Sequence, residues 1–304
     1  MELITSVNNQ RVKEVANLKQ KKYRTESGTY FAEGLRAVTE AVEHAEVTDL
    51  FFTATEESKL KEILKTTKEK GVRLYQTDPK VMAKLSDTKA PQGVLAVIKM
   101  PENNLQQLWA NAFAKTATRQ NINAGDAAAE NTIHTIHKEK KILMKKLEPD
   151  NNAPVIILDR VQDPGNLGTI IRTADAVGAL GVILLEGCAD AFSPKVVRAS
   201  MGSLFHLPVV QDVFPEDALT WCYRHGYEPA ATALGNAQNV YKADLSKKMA
   251  FIFGNEANGV AEELQTAAET RLFIPMAGLA ESMNVAMAAG IILFEGLRQR
   301  KFFR

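Results

Sequence analysis

The chain has 304 residues, 45% of them hydrophobic, and 37 Lys and Arg against 36 Asp and Glu, for a formal net charge of +1. That length and apolar fraction suffice for two cored domains and exclude a disordered chain, while the near-neutral balance means that any nucleic-acid partner must be met by a local basic patch. Cys188 and Cys222 are too few for a disulfide framework, and no segment has the apolar length of a membrane span or a signal-peptide core, so a soluble, cytoplasmic protein with reduced thiols is expected.

Residues 1 to about 100 alternate helical and strand patterns. A charged helix is expected over 8–22, a second in "GLRAVTEAVEHA", a strand in "VTDLFFTA" and a helix over 56–70. The short apolar runs "VRLYQT" and "QGVLAVIKM" follow, bounded by Gly71, Pro79 and Pro91. This is the texture of a small α/β domain. Residues 101–152, with "QNINAGDAAAENTIHTIHKEKK", change to an Ala, Asn, Lys and Glu-rich composition of weak periodicity, read as a linker or insertion holding one or two helical pieces. His134 and His137 lie in it without the Cys, Asp or Glu spacing of a metal site, and a solvated helix accounts for them.

Residues 153–304 alternate more regularly. Strands are expected in "PVIILD", "GVILLE", "LPVV", "PAATAL", "MAFIFG" and "RLFIP", each apolar throughout as in strands buried on both faces. Helices are expected over 167–178, 194–204, 215–225, 258–269 and 284–300. The fold class is therefore α/β, with a mostly parallel sheet covered by helices on both faces.

Ligands of open parallel sheets bind beyond the carboxyl ends of the strands, which singles out three loops. The first, "RVQDPGNLGTIIRT", contains Gly165 and Gly168 but matches neither the dinucleotide nor the phosphate-loop glycine pattern. Arg172 stands three residues before Asp175 and reads equally as half of a surface ion pair, and Asn166 as a helix cap. The second loop, "NEANGV", carries Glu256, with Asn258 placed to cap the next helix. The third, "MAGLAESMNVAMAAG", carries Ser282 and Asn284 and leads into a helix that is apolar nearly all round, which requires cover on more than one side.

In this order and spacing, "NLGTIIRTADAVGA", "FIFGNEANGV" and "IPMAGLAESMNVAMAAGIILFE" resemble the three motifs of the SpoU-type RNA ribose methyltransferases of the SPOUT superfamily. "YFAEGLRAVTEAVEHA" and "KAPQGVLAVIKM" resemble the L30e-like substrate-binding domain joined to that catalytic half. The resemblance implies residues 1–100 as the L30e-like domain, 153–304 as the methyltransferase domain with a C-terminal trefoil knot, a homodimer, and S-adenosylmethionine as cofactor. It implies that Gly254, Ile274 and Met283 hold the cofactor mainly through backbone groups, and that Asn166, Arg172, Glu256, Ser282 and Asn284 line the reacting end.

A guanidinium is effectively never deprotonated, so Arg172 is read as a cationic stabiliser and phosphate anchor, with water or Glu256 as proton acceptor. RNA is expected at the densest basic stretch, Arg11, Lys13, Lys19, Lys21, Lys22 and Arg24, which includes Tyr23; a solvated helix face would look the same. The implied substrate is ribosomal RNA, because of the appended N-terminal domain, with transfer RNA as the alternative. A non-catalytic RNA-binding protein on the same fold and a nucleotide-dependent doubly wound enzyme also stay open, the latter opposed by the missing glycine fingerprint.

Overall fold

The structure, a computed structural model, describes residues 1–108 and 152–302. The expected helical pieces of the linker, with His134 and His137, lie outside the described residues.

The N-terminal part runs β1 (Glu2–Ile4), α1 (Gln10–Asn17), α2 (Lys21–Ser27), β2 (Thr29–Glu33), α3 (Leu35–His44), β3 (Val47–Thr53), α4 (Lys61–Glu69), β4 (Arg73–Thr77), α5 (Pro79–Leu85) and β5 (Val94–Lys99). Its sheet has the order β1-β4-β3-β5-β2, parallel at β1/β4 and β4/β3 and antiparallel at β3/β5 and β5/β2. Side chains alternate across it: Phe31, Phe51, Leu95 and Val97 face α1 and α5, while Tyr30, Leu50, Phe52 and Ile98 face the other way. The expected helix over 8–22 is two helices. Asn9 caps the first by accepting from the backbone of Arg11 and Val12, and Leu18 turns inward to join the core. Gln20 is extended, and the second helix ends at Gly28 in the left-handed region, φ +62°.

The C-terminal part runs β6 (Val155–Leu158), α6 (Pro164–Ala176), β7 (Gly181–Leu185), α7 (Pro194–Ala199), β8 (Val209–Val213), α8 (Pro215–Arg224), β9 (Glu228–Thr232), β10 (Gln238–Asn239), β11 (Met249–Phe253), α9 (Glu262–Ala267), β12 (Thr270–Phe273) and α10 (Val285–Leu297). The sheet has seven strands, in the order β10-β12-β9-β11-β6-β7-β8, and every pairing is parallel. Residues of α6, α7 and α10 pack on one face, and Ala218, Trp221 and Cys222 of α8 with Leu264 of α9 on the other. Strand β11 enters between β9 and β6, so the carboxyl ends of β6 and β11 lie side by side, with Leu158 opposite Phe253. The helix expected over 258–269 is shorter, because residues 255–259 close on themselves instead.

The two parts share one core, in which Tyr30 meets Phe192 with ring centroids 4.8 Å apart. Residues 101–108, expected in the linker, dock on the C-terminal sheet: Leu108 is buried, and Trp221 Nε1 donates to the Leu105 carbonyl at 2.7 Å. Among the described residues, no helix is long and apolar enough to cross a membrane.

Candidate active site

The register of β6 against β11 delivers the first two loops to one place. Asp159, just past β6, is buried and donates its N–H to the Phe253 carbonyl at 2.8 Å. Its carboxylate accepts from Arg160 Nε and Nη2 at 2.7 and 2.9 Å and from the Ala261 N–H at 2.8 Å, tying the start of one loop to the end of the other. Arg160 has φ +53°, a left-handed conformation held by Asn255 Nδ2, which donates to its carbonyl at 2.9 Å. Asn255 and Gly259 exchange backbone hydrogen bonds of 3.0 and 2.9 Å, and Asn255 Oδ1 accepts from Ala257 and Asn258. Asn258 therefore caps nothing; Ala261 precedes the helix. Gly254 is required here, because a Cβ would overlap the backbone of Gly259 and Val260.

Asp163, not Asn166, caps α6, accepting from the Asn166 N–H at 2.8 Å. Pro164 at the first helical position has no N–H to lose. Asn166 is thereby held in the first turn with its amide directed outward to the other loops. Its Nδ2 donates to Glu256 Oε1 at 3.0 Å, and its Oδ1 accepts from Asn284 Nδ2 at 2.9 Å. Asn284 caps α10, its Oδ1 accepting from Ala286 and Met287 at 2.9 and 3.2 Å. One line of hydrogen bonds thus runs from Glu256 through Asn166 to Asn284 and the helix N-terminus, joining three loops distant in the chain. Gly168, one turn along α6, lets this helix approach α7, since a Cβ would overlap that of Ala199 and lie 3.0 Å from the Ser200 nitrogen.

Burial opposes the Glu256 charge, but hydrogen bonds from Asn166 Nδ2 and from the N–H groups of its own residue, Asp163 and Gln162 outweigh it. Its carboxyl is held below the usual carboxylate range. An ionised group already accepting this many hydrogen bonds is a weak proton acceptor, which disfavours the reading of Glu256 as general base. Cys188 is no nucleophile either: burial pushes its thiol up to about 11, and it donates to the Leu158 carbonyl.

Arg172 is exposed and outside this line, and Asp175, its sequence neighbour, faces His206 at 3.3 Å instead. Ser282 is exposed and makes no hydrogen bond with Asn166, Glu256 or Asn284; Ile274 and Met283 are half-buried. Between Pro275 and Met283 no backbone N–H or carbonyl is hydrogen-bonded to the described residues. This stretch is exposed and leads into Asn284.

The expected RNA patch is partly spent on structure. Arg24 is buried, 3% exposed, and its guanidinium binds Asp190 and the Leu18 carbonyl; it fastens α2 to the C-terminal half and is not surface. Arg11 neutralises Asp49, a fully buried carboxylate that Arg73 also contacts, and pairs with Glu14. Lys19 Nζ donates to the Lys84 carbonyl at 2.9 Å, and Lys21 stands 3.5 Å from Asp212. Lys13, Lys21 and Lys22 remain exposed.

The sequence offered Asn255 as a turn residue, which it is, but gave no role to Asp159 or Asp163. A carboxylate closing an all-apolar strand, as in "VIILD", was the available signal for Asp159, since such a group must find buried donors.

Residues 153–294 match the model of the SpoU rRNA Methylase family, and residues 9–96 that of the MRM3-like substrate binding domain. The 23S rRNA (guanosine(2553)-2′-O)-methyltransferase RlmP of Bacillus subtilis is 33% identical over 97% of this chain and 98% of its own. The chain belongs to the SpoU rRNA methylase family. The AdoMet-bound rRNA methyltransferase of Sinorhizobium meliloti has 31% identity and a TM-score of 0.78 over 99% of this chain and 98% of that one. The SpoU methyltransferase AviRb of Streptomyces viridochromogenes in complex with AdoMet has 29% identity and a TM-score of 0.76 over 98% of this chain and 100% of that one. The α/β fold with its parallel sheet is that of these SpoU methyltransferases.

Proposed function

We propose that this SpoU protein transfers the methyl group of S-adenosylmethionine to a ribose 2′-hydroxyl of ribosomal RNA, using the loops joined by Glu256, Asn166 and Asn284. The observation that carries the reading is that single line of hydrogen bonds across three loops at the strand ends. In this reading the cofactor lies at the exposed loop 275–283, with Gly254, Ile274 and Met283 flanking or lying in the loops that would hold it. Bound S-adenosylmethionine supplies a methyl already activated by a sulfonium, so the chain's own task is alignment and charge control. Ionised Glu256 orients the Asn166 amide, and Asn166 in turn fixes Asn284 at the start of α10. Arg172, an exposed cation, supports developing negative charge on the ribose oxygen or the adjacent phosphate, Ser282 lines the same end, and the hydroxyl proton leaves to water.

Lys13, Lys21 and Lys22 contribute to RNA binding, with Lys19 at the margin, and the domain limits are 1–100 and 153–304. A second copy covers the face of α10 on which Met287 and Phe294 are 64% and 51% exposed seven residues apart, with Leu279 of the preceding loop exposed beside them in sequence. A trefoil knot at the C-terminal side of the sheet belongs to the same reading. Free Cys188 and Cys222 accord with work in the cytoplasm.

The test is methyl transfer from labelled S-adenosylmethionine to ribosomal RNA of cells lacking the protein, followed by mapping of the ribose. Label in transfer RNA alone would overturn the substrate, and no label in either would overturn the activity. Arg172→Lys is expected to lose about a hundredfold in turnover, and near-normal turnover would exclude a guanidinium role.

A further inference from the structure

The face between the two halves holds a group of side chains that the methyl-transfer site does not use. Glu40 and His44, one helical turn apart, lie on the same side of α3. His206 follows the short 3-10 turn Ser203–Phe205 of the catalytic half. The two elements meet closely: a Cβ on Gly202 would lie 3.0 Å from Glu40 Cγ. Glu40 Oε2 stands 3.1 Å from His206 Nε2 and 3.8 Å from His44 Nε2, and one ligand atom from each of the three lies within 4.8 Å of the others.

We propose that Glu40, His44 and His206 form a site for a divalent transition-metal ion of the zinc class, which clamps the N-terminal domain to the methyltransferase domain. Two imidazole nitrogens and one carboxylate oxygen are a set that such ions take, with water in the fourth position. Tetrahedral zinc with bonds of about 2.0–2.1 Å holds its ligands roughly 3.3 Å apart. The pair from Glu40 and His206 is already at that spacing. The His44 ring, exposed at the end of α3, closes the rest by a small rotation.

The second observation lies behind His206. Its Nδ1 faces Asp175 Oδ2 at 3.3 Å, the carboxylate–histidine arrangement that fixes a metal-binding tautomer. The Asp175 hydrogen bond above all, with Glu40 beside Nε2, raises the His206 pKa, so the cation that this 3.1 Å contact favours is either a proton or a metal ion. A proton would serve those two groups alone. His44 brings a third donor atom to the same point, with its ring edge-on to that of His206 at 4.6 Å between centroids, and this favours a metal.

The test is calorimetric titration of the full-length, tag-free, chelator-treated protein with zinc chloride, together with the visible spectrum of the cobalt(II) form. One equivalent should bind, with the absorption of a tetrahedral cobalt site. His44→Ala and His206→Ala, and the near-isosteric Glu40→Gln, should each weaken binding at least tenfold, and Asp175→Asn about tenfold. His134→Ala/His137→Ala should leave it unchanged. The absence of saturable binding, or affinity unchanged in His44→Ala and Glu40→Gln proteins that melt like the parent, would overturn the proposal. So would a His206 ring whose NMR signals titrate with pH but ignore zinc, which would identify a protonated bridge.

Discussion

Asn166→Ala removes both hydrogen bonds that hold the three loops together, the 3.0 Å bond to Glu256 and the 2.9 Å bond from Asn284. A bond to an ionised group contributes about 1.5–3 kcal/mol and a neutral one about 0.5–1.5 kcal/mol when water cannot replace it. Here Glu256 and Asn284 are exposed, so water takes over most of both, and the global cost falls to about 1 kcal/mol. That corresponds to roughly 2 °C in melting temperature for a chain of this size. The effect on transfer is larger, because a loop displaced by about 1 Å misaligns the reactants and costs on the order of a hundredfold in rate, about 2.7 kcal/mol. Single-turnover transfer at saturating S-adenosylmethionine, run beside thermal melts, separates the two quantities. A cycle with Glu256→Gln should show coupling of about 1 kcal/mol in the rate. Turnover within threefold of the parent, or strictly additive effects in the cycle, would refute the claim that this line of amides aligns the reaction.

Arg24→Met leaves Asp190 without its buried partner and should destabilise the protein by about 3–5 kcal/mol in chemical denaturation. The salt dependence of RNA binding should stay the same, whereas neutralising Lys13, Lys21 and Lys22 should flatten its logarithmic slope by about 0.9 per contact on duplex RNA-like sites. Gly254→Ala, whose new methyl would overlap the Gly259 and Val260 backbone, should abolish S-adenosylmethionine binding by calorimetry while the far-ultraviolet dichroism stays native. Because the folded-state pKa of Glu256 is lowered, its contribution to stability is present above the ordinary carboxylate value and is lost only as pH falls below that range. The acid limb of the pH–rate profile near neutrality should therefore be the same in Glu256→Gln, and its disappearance would restore Glu256 as proton acceptor.

The catalytic half was legible because its strands are apolar throughout and its loops carry their chemistry in compact motifs. Asn166, Glu256 and Asn284 were all placed at the reacting end, and they touch one another in sequence-distant pairs. The N-terminal half was read less well. The strand Thr29–Glu33 is short and was not among the expected elements, and Pro79, read as a breaker, opens α5 at its first position with Asp78 as cap. The break between α1 and α2 carries no Gly or Pro; it comes from Leu18 turning into the core, a tertiary preference that local pattern does not contain. Arg24 was counted as a free charge because Asp190, its partner, is 166 residues away. The same distance problem hid the pairing of His206 with Glu40 and His44.

The insertion of β11 between β9 and β6 also governs how the protein is made. As the polypeptide emerges during translation, β6 is followed by β7 and β8 on one side, while its other edge stays open until Phe253 has appeared. That edge is a wholly apolar parallel strand, the kind of template on which nascent chains aggregate, so aggregation is expected to be greatest in the interval before residue 253. Asn284 is delivered later still, so a product truncated between residues 257 and 283 would carry the Asn166–Glu256 pair without the amide that joins it to α10.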